Sequence, residues 1–404
     1  MTPLVDAGRP ALNVLMVAPT SFFNDYGGHI RILEEALALQ AMGQRVRIVT
    51  YNEGKDVAGV AIQRTWRLPW HAGYEVGSSR HKLAFDLYLA AKAIQVAAGW
   101  RPDVIHGHMH EGALIGGLLA RLWRAPLVFD FQGSLTAEMV DHRFLNPDGR
   151  IYAWARWLER FICRLPAAIL TSSHQAAEML AADFGVPECR IHPLPDCVDL
   201  KRFDPGRFDA GRKAELKARL GIPAGRPVVA YLGLLADYQG TPDLVAAAAR
   251  LKAAGERVHL LIMGYPRVDE YRALARQAGL AEEITFTGRV NYADAPLYLS
   301  LGDLAVSAKF STSEGSGKIL NYMAMAQPVV AYDTPVHREY LAGLGHYAPV
   351  GDVDCLAQLL ASLAQRPDRR AELGGRLRQR AAEYYGWAQA AGSILGLYQA
   401  LTKG

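Results

Sequence analysis

A glycine-rich loop that leads into a helix carries the residues best able to bind a charged ligand. The loop reads EGSGK over residues 314–318, and an apolar run with helical spacing follows over residues 319–325. The backbone N–H groups and the dipole at the start of such a helix favour an anion. Lys318 adds a positive charge at the same place, and the Glu314 carboxylate can accept hydrogen bonds from hydroxyl groups. These residues predict a site for a phosphorylated ligand.

The same pattern also has a purely structural interpretation. Glycine-rich turns before helices are common in doubly wound folds, and many of them bind nothing. The loop is not a P-loop, because the earlier glycine is missing and Ile319 stands where that motif has Ser or Thr. From the residues alone, ligand binding and a plain turn remain equal alternatives.

Three alternating histidines lie in the sequence HGHMHE at residues 106–111, after a predicted strand at residues 102–106. Alternate residues of an extended chain share one face, so these histidines are candidates for a metal site. No cysteine or aspartate pattern completes a ligand set in the sequence, and we therefore predict no metal. The preferred interpretation is a polar strand end from which His106 lines a ligand site.

Composition limits the classes of protein that this chain can belong to. Its 404 residues predict two or three domains. A net charge of +4 is too weak to indicate nucleic-acid binding, but it suits an anionic ligand or an anionic membrane surface. Four cysteines without metal-binding spacing favour a reduced, cytoplasmic protein. We expect neither a signal peptide nor a membrane-spanning segment, because no suitable apolar run is present.

Apolar runs and turn residues alternate along the chain in two sets. Residues 204–226, which are charged and punctuated by Pro and Gly, predict a linker with a short helix between the sets. Such alternation predicts two parallel doubly wound sheets, which bind ligands at loops that follow the carboxyl ends of strands. The predicted strands are at 13–18, 45–50, 102–106, 127–131, 168–172, 228–232, 259–263, 284–287, 304–307 and 329–332, and helices are predicted at 30–42, 150–164 and 175–184.

The predicted helix at residues 150–164 combines four arginines with several aromatic residues. Basic and aromatic residues together can indicate a helix that lies on a membrane surface. The aromatic residues do not form one clean stripe in the sequence, so packing against the sheet is an equal alternative.

The segment from Glu314 to the Pro-Val-Val at residues 328–330 resembles the nucleotide-sugar signature of retaining GT-B glycosyltransferases of family 4. That signature has a Glu, a Gly-rich turn, a second Glu and a small-residue helix before Pro-Val-Val. Glu314 matches the first Glu, and Asn321 stands one residue short of the second. The resemblance implies an α/β GT-B fold, with two Rossmann-like doubly wound domains facing a cleft and a C-terminal helix that crosses back to the N-terminal domain.

The resemblance also implies an activity and a domain plan. The enzyme would move a sugar from a nucleotide-diphosphate donor to an acceptor hydroxyl, with retention, in glycan or glycolipid synthesis. The acceptor would be a sugar, a lipid-linked compound or another small molecule, and no cofactor or nucleic acid would be needed. Residues 1–203 with 386–404 would form the acceptor domain, and residues 204–385 the donor domain. Apart from the resemblance, the residues themselves predict a cytoplasmic protein, and the net charge and the basic, aromatic helix at residues 150–164 allow peripheral contact at the inner membrane surface.

Site residues follow from the resemblance position by position. Gln132 stands where many family members have a histidine that contacts the donor sugar. Asp130 is a nearby carboxylate that can face the acceptor. Glu314 would hold the donor sugar. With His106, these are the predicted catalytic residues. The predicted donor-binding residues are Gly27, Gly28, Gly233, Gln239, Gly264, Arg289, Val290, Lys309, Gly315, Ser316, Gly317, Lys318, Ile319 and Asn321.

The chain departs from the family pattern at the diphosphate. Leu234 and Gln239 stand where the family has an Arg and a Lys that grip this group. We hypothesise that Lys309 and Lys318 replace those two cations. Two other functions remain open: a binding or regulatory protein on a catalytically decayed scaffold, and a nucleotide-sugar epimerase.

Overall fold

The computed structural model describes residues 10–25, 27–67, 82–141, 145–310 and 315–403. These residues divide into two compact units. The first contains residues 10–195, Gly315 and residues 387–403, and the second contains residues 196–310 and 316–386. Each unit is built around its own parallel β-sheet.

The first unit has a seven-stranded sheet in the order β3-β2-β1-β4-β5-β6-β7, in which the paired strands are parallel. The strand order reverses between β1 and β4, which makes this the topological switch point. The strands are β1 (Asn13–Ala18), β2 (Arg45–Thr50), β3 (Ala61–Arg64), β4 (Val104–His108), β5 (Leu127–Phe131), β6 (Ala168–Thr171) and β7 (Ile191–Pro193).

Helices cover both faces of this sheet, which explains why its central strands read as continuous apolar runs. Leu15, Ile105 and Leu127 are in register across β1, β4 and β5 and pack on one face against two helices, α2 and α3. The helices are α1 (Gly27–Ala41), α2 (Lys82–Trp100), α3 (Met109–Trp123), α4 (Leu135–Asp141), α5 (Arg150–Arg164) and α6 (His174–Ala182).

The second unit has a six-stranded parallel sheet in the order β10-β9-β8-β11-β12-β13, with its switch point between β8 and β11. Its strands are β8 (Val228–Leu232), β9 (His259–Met263), β10 (Ile284–Gly288), β11 (Leu304–Ser307), β12 (Val329–Tyr332) and β13 (His346–Ala348). Its helices are α7 (Ala210–Arg219), α8 (Thr241–Ala253), α9 (Val268–Gln277), α10 (Ala295–Leu299), α11 (Gly317–Ala324), α12 (Pro335–Leu341), α13 (Val353–Ala364) and α14 (Pro367–Tyr384).

The last helix, α15 (Trp387–Leu401), belongs to the first unit although it follows the second in sequence. It packs against α1, and its Tyr398 hydroxyl lies 2.5 Å from Nδ1 of His106 on β4. The return of the C-terminal helix to the N-terminal unit, expected from the resemblance, is therefore confirmed.

Several predicted boundaries need correction, and one of them is the helix predicted at residues 175–184, which ends at Ala182. Helix α1 begins at Gly27, so the glycine pair forms its first turn and does not end a loop before residue 30. Strand β4 runs two residues beyond the predicted end, to His108, because His106 and His108 are buried in paired positions of the sheet. Among the described residues, no helix is both long and apolar enough to cross a membrane.

Gly240 tests how tightly the second unit is packed at its switch point. Its φ is +73°, and a Cβ atom there would lie 2.0 Å from the carbonyl oxygen of Ala308, which follows β11. We expect Gly240→Ala to lower the free energy of unfolding by more than about 2 kcal/mol, because strain and a backbone clash add. The measurement is urea unfolding followed by circular dichroism.

Gly255→Ala is the matched control, because Gly255 has a φ of +76° but a Cβ atom added there would meet nothing within 4 Å. Its free energy of unfolding should fall by only about 1 kcal/mol, because a non-glycine residue is strained in the left-handed backbone conformation. Equal losses in the two variants would show that the contact with Ala308 is not restrictive.

Candidate functional site

The switch point of the second unit brings together the loop after β8 and the start of α11. Lys318 lies in the first turn of α11, and its Nζ donates a hydrogen bond of 2.7 Å to Oε1 of Gln239. The same ammonium lies 4.7 Å from the centre of the Tyr231 ring. A Cβ atom on Gly233 would be 3.4 Å from it. Lys318 therefore places a fixed positive charge beside the glycine-containing loop.

The start of α11 has the features of an anion site. Ser316 is the N-cap residue and is 4% exposed, yet its hydroxyl has no hydrogen-bond partner among the described residues. The first backbone N–H groups of a helix lack partners within that helix. A Cβ atom on Gly317 would lie 3.4 Å from a carboxylate oxygen of Asp196, so a negative group already stands beside this helix start. The local field favours anions there.

One further cation, Lys309, and one neutral histidine, His337, lie near Lys318. Lys309 is 3% exposed. Burial lowers the pKa of His337 to about 4; a hydrogen bond to the Tyr332 carbonyl opposes this effect, and the charges of Lys318 and Lys309 add to it. His337 is therefore neutral at pH 7, and its Nε2 lies 3.2 Å from the Ser307 hydroxyl. The positive charges that act on His337 are therefore those of the two lysines.

The other predicted donor-site residues of the second unit differ from one another in burial and in contacts. A Cβ atom on Gly264 would lie 1.9 Å from the carbonyl oxygen of Gly233, so this position requires glycine for close backbone packing. Arg289 is exposed and stacks 5.1 Å from the centre of the Tyr265 ring, while Val290 is half-buried.

Within and before helix α11 the predicted residues also differ. Ile319 is fully buried in the core, so only its backbone is available to a ligand. Asn321 is half-buried on the helix. Glu314 lies outside the described residues, and Gly315 is grouped with the first unit.

In the first unit, the strand ends carry a fully buried ion-pair network. Arg31 on α1 lies 2.8 Å from Oδ1 of Asp130 on β5 and 3.2 Å from a Glu35 oxygen. It also donates a hydrogen bond to the carbonyl of Leu194. Burial would raise the pKa of the Asp130 carboxyl, but the Arg31 charge and the hydrogen bond with His108 outweigh it and hold that pKa well below 3.8. Asp130 is therefore an anion at neutral pH.

His106 and His108 stack within this network, with ring centres 4.4 Å apart. Nδ1 of His108 lies 3.0 Å from Asp130, and Nδ1 of His106 contacts the Tyr398 hydroxyl. Burial, followed by the neighbouring His108, lowers the pKa of His106 well below 6.5. His110 does not share this face, because β4 ends at His108 and α3 begins at Met109.

Gln132 links the network to the glycine pair at the start of α1. Its Nε2 donates a 2.7 Å hydrogen bond to Asp130. Its Oε1 would lie 2.9 Å from a Cβ atom on Gly28, whereas Gly27 has open space around it. Gln132 is half-buried, but His106 and Asp130 are fully buried. The geometry brings these predicted residues of the first unit together, with Gln132 as the member that reaches the surface.

The network contains side chains of the kinds that bind metal ions, so we asked whether it is the metal site considered for the histidines. Glu35, His106, His108 and Asp130 offer atoms within 4.8 Å of one another. Arg31 contacts both carboxylates, so a positive charge already occupies this position. We therefore interpret the cluster as an ion-pair network, and the absence of a metal requirement stays a prediction.

The sequence interpretation missed several members of these clusters. Arg31 and Glu35 are spaced i, i+4 on α1, which is the spacing of an ordinary exposed helix pair, and only the fold shows that both are buried. Tyr231 and His337 likewise sit in apolar or turn sequences without a distinguishing pattern.

Two family models match successive parts of the chain. Residues 27–202 match the model described as Glycosyltransferase Family 4, and residues 212–380 match the model described as Glycosyl transferases group 1. The chain belongs to the family 4 GT-B glycosyltransferases. The two sheets and the returning helix are the GT-B fold, and the predicted fold class is confirmed.

Relatives and solved structures agree with this assignment. A D-inositol 3-phosphate glycosyltransferase from Xylanimonas cellulosilytica is 27% identical, covering 94% of this chain and 93% of the relative. Sucrose-phosphate synthase from Thermosynechococcus elongatus has a TM-score of 0.82 at 18% identity, covering 96% of this chain and 99% of that one. Anabaena HepE in complex with UDP and glucose has a TM-score of 0.76 at 15% identity, covering 96% and 100%.

Asp130→Asn tests the buried network of the first unit. Removing one partner of a buried ion pair leaves an uncompensated charge, so we expect the free energy of unfolding to fall by about 3 kcal/mol. A carboxyl with a lowered folded pKa adds stability above its unfolded value of 3.8 and loses that contribution as the pH falls. The difference from wild type should therefore persist at neutral pH and shrink only below pH 3.8. Urea unfolding at a series of pH values measures it.

The control is Asp354→Asn, because Asp354 forms an exposed ion pair with Arg250 at 2.5 Å. Exposed pairs contribute at most about 1 kcal/mol. A loss for Asp130→Asn no larger than for this control would contradict the assigned role of the network.

Proposed function

We propose that this glycosyltransferase moves a sugar from a nucleoside-diphosphate donor to an acceptor hydroxyl, with retention at the anomeric carbon. One observation carries the proposal: the Lys318 ammonium is held by Gln239 at the start of α11, beside the buried Ser316 hydroxyl, which has no partner among the described residues. In the resemblance, Gln239 stands where the family has a lysine that binds the donor diphosphate. Lys318 thus brings a cation from α11 to the place where the loop after β8 has lost one.

The donor diphosphate fits the charge and hydrogen-bonding groups of this position. Its oxygens would accept hydrogen bonds from the Ser316 hydroxyl, from Lys318 and from the N–H groups of the first turn of α11. Lys309 adds a second positive charge nearby. HepE of Anabaena has been solved with UDP and glucose, which supports a nucleotide of this class as donor.

Chemistry at this site would depend on positioning and on stabilising the leaving group. The bond between the anomeric carbon and the diphosphate oxygen breaks, and the acceptor oxygen forms the new glycosidic bond as its hydroxyl proton is released. Lys318 and the helix start stabilise the negative charge on the departing diphosphate. Glu314 would hold the donor sugar, and Arg289 and Val290 would lie beside the nucleotide base, as the resemblance implies. Retention also rests on the resemblance.

The acceptor class stays open between a sugar, a small polyhydroxy molecule and a lipid-linked compound. The relative from Xylanimonas cellulosilytica is a D-inositol 3-phosphate glycosyltransferase, which favours a small polyhydroxy acceptor. Asp130 and His106 would act as positioning residues, because both are fully buried and reach the surface only through Gln132. We place the enzyme in the cytoplasm, where its four free cysteines stay reduced.

The activity is tested with a panel of nucleotide sugars in a thermal-shift assay, followed by transfer reactions with candidate acceptors. The true donor should raise the Tm by mass action, and nucleoside diphosphate should be released only when an acceptor is added. Proton NMR of the product should show the anomeric configuration of the donor. EDTA should not change the rate, and Glu314→Gln should lower turnover without changing the Tm of the ligand-free protein.

Each alternative function has its own result in this assay. Release of nucleotide with no acceptor present would favour the epimerase. No Tm change with any nucleotide sugar would favour the decayed scaffold and would contradict the proposal.

Lys318 is tested by titration calorimetry with the nucleoside diphosphate of the best donor. Lys318→Ala should weaken binding by about 2–3 kcal/mol, the range for a hydrogen bond to a charged group. Lys318→Arg should recover only part of this loss, because the guanidinium has a different reach and geometry.

The control for Lys318 is Lys252→Ala on α8 of the same unit, where Lys252 bonds the Gly279 carbonyl at the surface. Lys252→Ala should change the free energy of nucleoside-diphosphate binding by no more than about 0.5 kcal/mol. Equal affinity of wild type and Lys318→Ala would end the replacement hypothesis.

A further inference from the structure

Helix α5 exposes an apolar stripe that no described part of the first unit covers. Ile151, Trp154 and Trp157 are 70%, 61% and 58% exposed, and Phe161 is exposed beside them. At 3.6 residues per turn these four side chains fall within about 120° of the helix circumference. The aromatic residues of the sequence did not indicate a clean stripe. The structure shows one, because Tyr152, the aromatic residue that lies outside it, is half-buried.

The two neighbouring helices continue this apolar face. Helix α3 packs against α2 on one side and α5 on the other, and all three lie on the same face of the sheet. Each has an exposed leucine or aromatic stripe on the side turned away from the sheet. We call this three-helix surface the α2–α3–α5 face; its exposed large apolar residues are Leu83, Leu87, Leu114, Leu118, Leu122, Ile151, Trp154, Trp157 and Phe161.

Charge on this face is one-sided. The three helices contain seven basic and three acidic residues, and all three acidic side chains are engaged within the first unit. Asp86 accepts a hydrogen bond from Tyr51, and Glu111 pairs with Lys82 at 2.5 Å. Glu159 is buried and accepts hydrogen bonds from the backbone at the start of α4. The exposed charged residues of the three helices are therefore basic: Arg121, Arg150, Arg160 and Arg164.

We propose that the α2–α3–α5 face binds the surface of an anionic lipid bilayer. Tryptophan and phenylalanine side chains suit the boundary between headgroups and acyl chains, and exposed arginines attract anionic headgroups. A large exposed apolar surface on a globular protein normally marks an interaction site. The charge pattern decides among partners, because a symmetric pair of copies would bring two basic surfaces together.

This inference goes beyond the proposed transfer reaction and does not depend on it. The face lies on the side of the sheet opposite to the Arg31–Asp130 network, because Ile105 and Leu127 point to α2 and α3 while His106 and Asp130 point to α1. Changes on the face should therefore leave the network intact.

The test is co-sedimentation of the full chain with vesicles of phosphatidylcholine alone or with about 30% phosphatidylglycerol. Wild type should bind the anionic vesicles, and binding should weaken when salt is raised from about 0.1 M to about 0.5 M. Trp154→Ala with Trp157→Ala should weaken binding at least about tenfold, because two large apolar side chains no longer enter the lipid. Arg150→Gln with Arg160→Gln should also weaken it.

The matched control is Leu274→Ala with Arg276→Gln, which removes one exposed leucine and one exposed arginine from α9 of the second unit. It should bind vesicles like wild type, and all variants should keep the wild-type Tm. Trp154→Phe with Trp157→Phe should keep most of the binding but show weaker fluorescence quenching by brominated lipids.

Three results would overturn the proposal. The first is tight binding by the Trp154→Ala, Trp157→Ala variant, and the second is equal binding of wild type to neutral and anionic vesicles. The third is no vesicle binding by a wild type that forms dimers in sedimentation velocity while the tryptophan variant is monomeric. That outcome would assign the face to a second copy of the chain.

Discussion

Burying a charge in a sheet that is covered by helices on both faces is costly unless an opposite charge or hydrogen bonds compensate it there. The pairing of Arg31 with Asp130 satisfies this requirement in the first unit. Isolated burial of either group would cost several kcal/mol, whereas the pair tolerates it when hydrogen bonds satisfy the remaining atoms. His108, Gln132 and the Leu194 carbonyl supply those bonds. The network therefore joins α1, β4, β5 and the segment after β7 at the carboxyl ends of the strands.

The network also gives the C-terminal helix a specific docking point. Tyr398 of α15 contacts His106, which is stacked on His108. A hydroxyl group from the end of the chain thus satisfies a buried ring nitrogen of β4. Apolar packing alone would hold α15 with little preference for register. The polar contact makes one register better than its neighbours.

The second unit differs from the first in the polar and charged groups at its switch point. Its switch point keeps Lys318 beside the half-buried Gly233 and next to a helix start whose capping hydroxyl has no partner among the described residues. Such a site is costly in the empty protein and becomes favourable when an anion arrives. The resemblance implies that Leu234 and Gln239 stand where the family has an Arg and a Lys, and under our proposal Lys318 supplies a cation for the diphosphate. The start of α11 thus has polar groups that a ligand would satisfy.

The sequence by itself determined the fold class, most strand boundaries and the family, because these depend on local periodicity, on turn residues and on motif order. Strands β1, β2, β5, β8, β9, β11 and β12 and helix α5 lie where the sequence predicted them. It could not show that Arg31 and Glu35 are buried, because their i, i+4 spacing is the same in an exposed pair. Nor could it show that Lys318 reaches Gln239, since 79 residues separate them. The exposed face of α5 was hidden for the same reason: a helix has several apolar directions in sequence, and only its packing on the sheet decides which one remains in solvent.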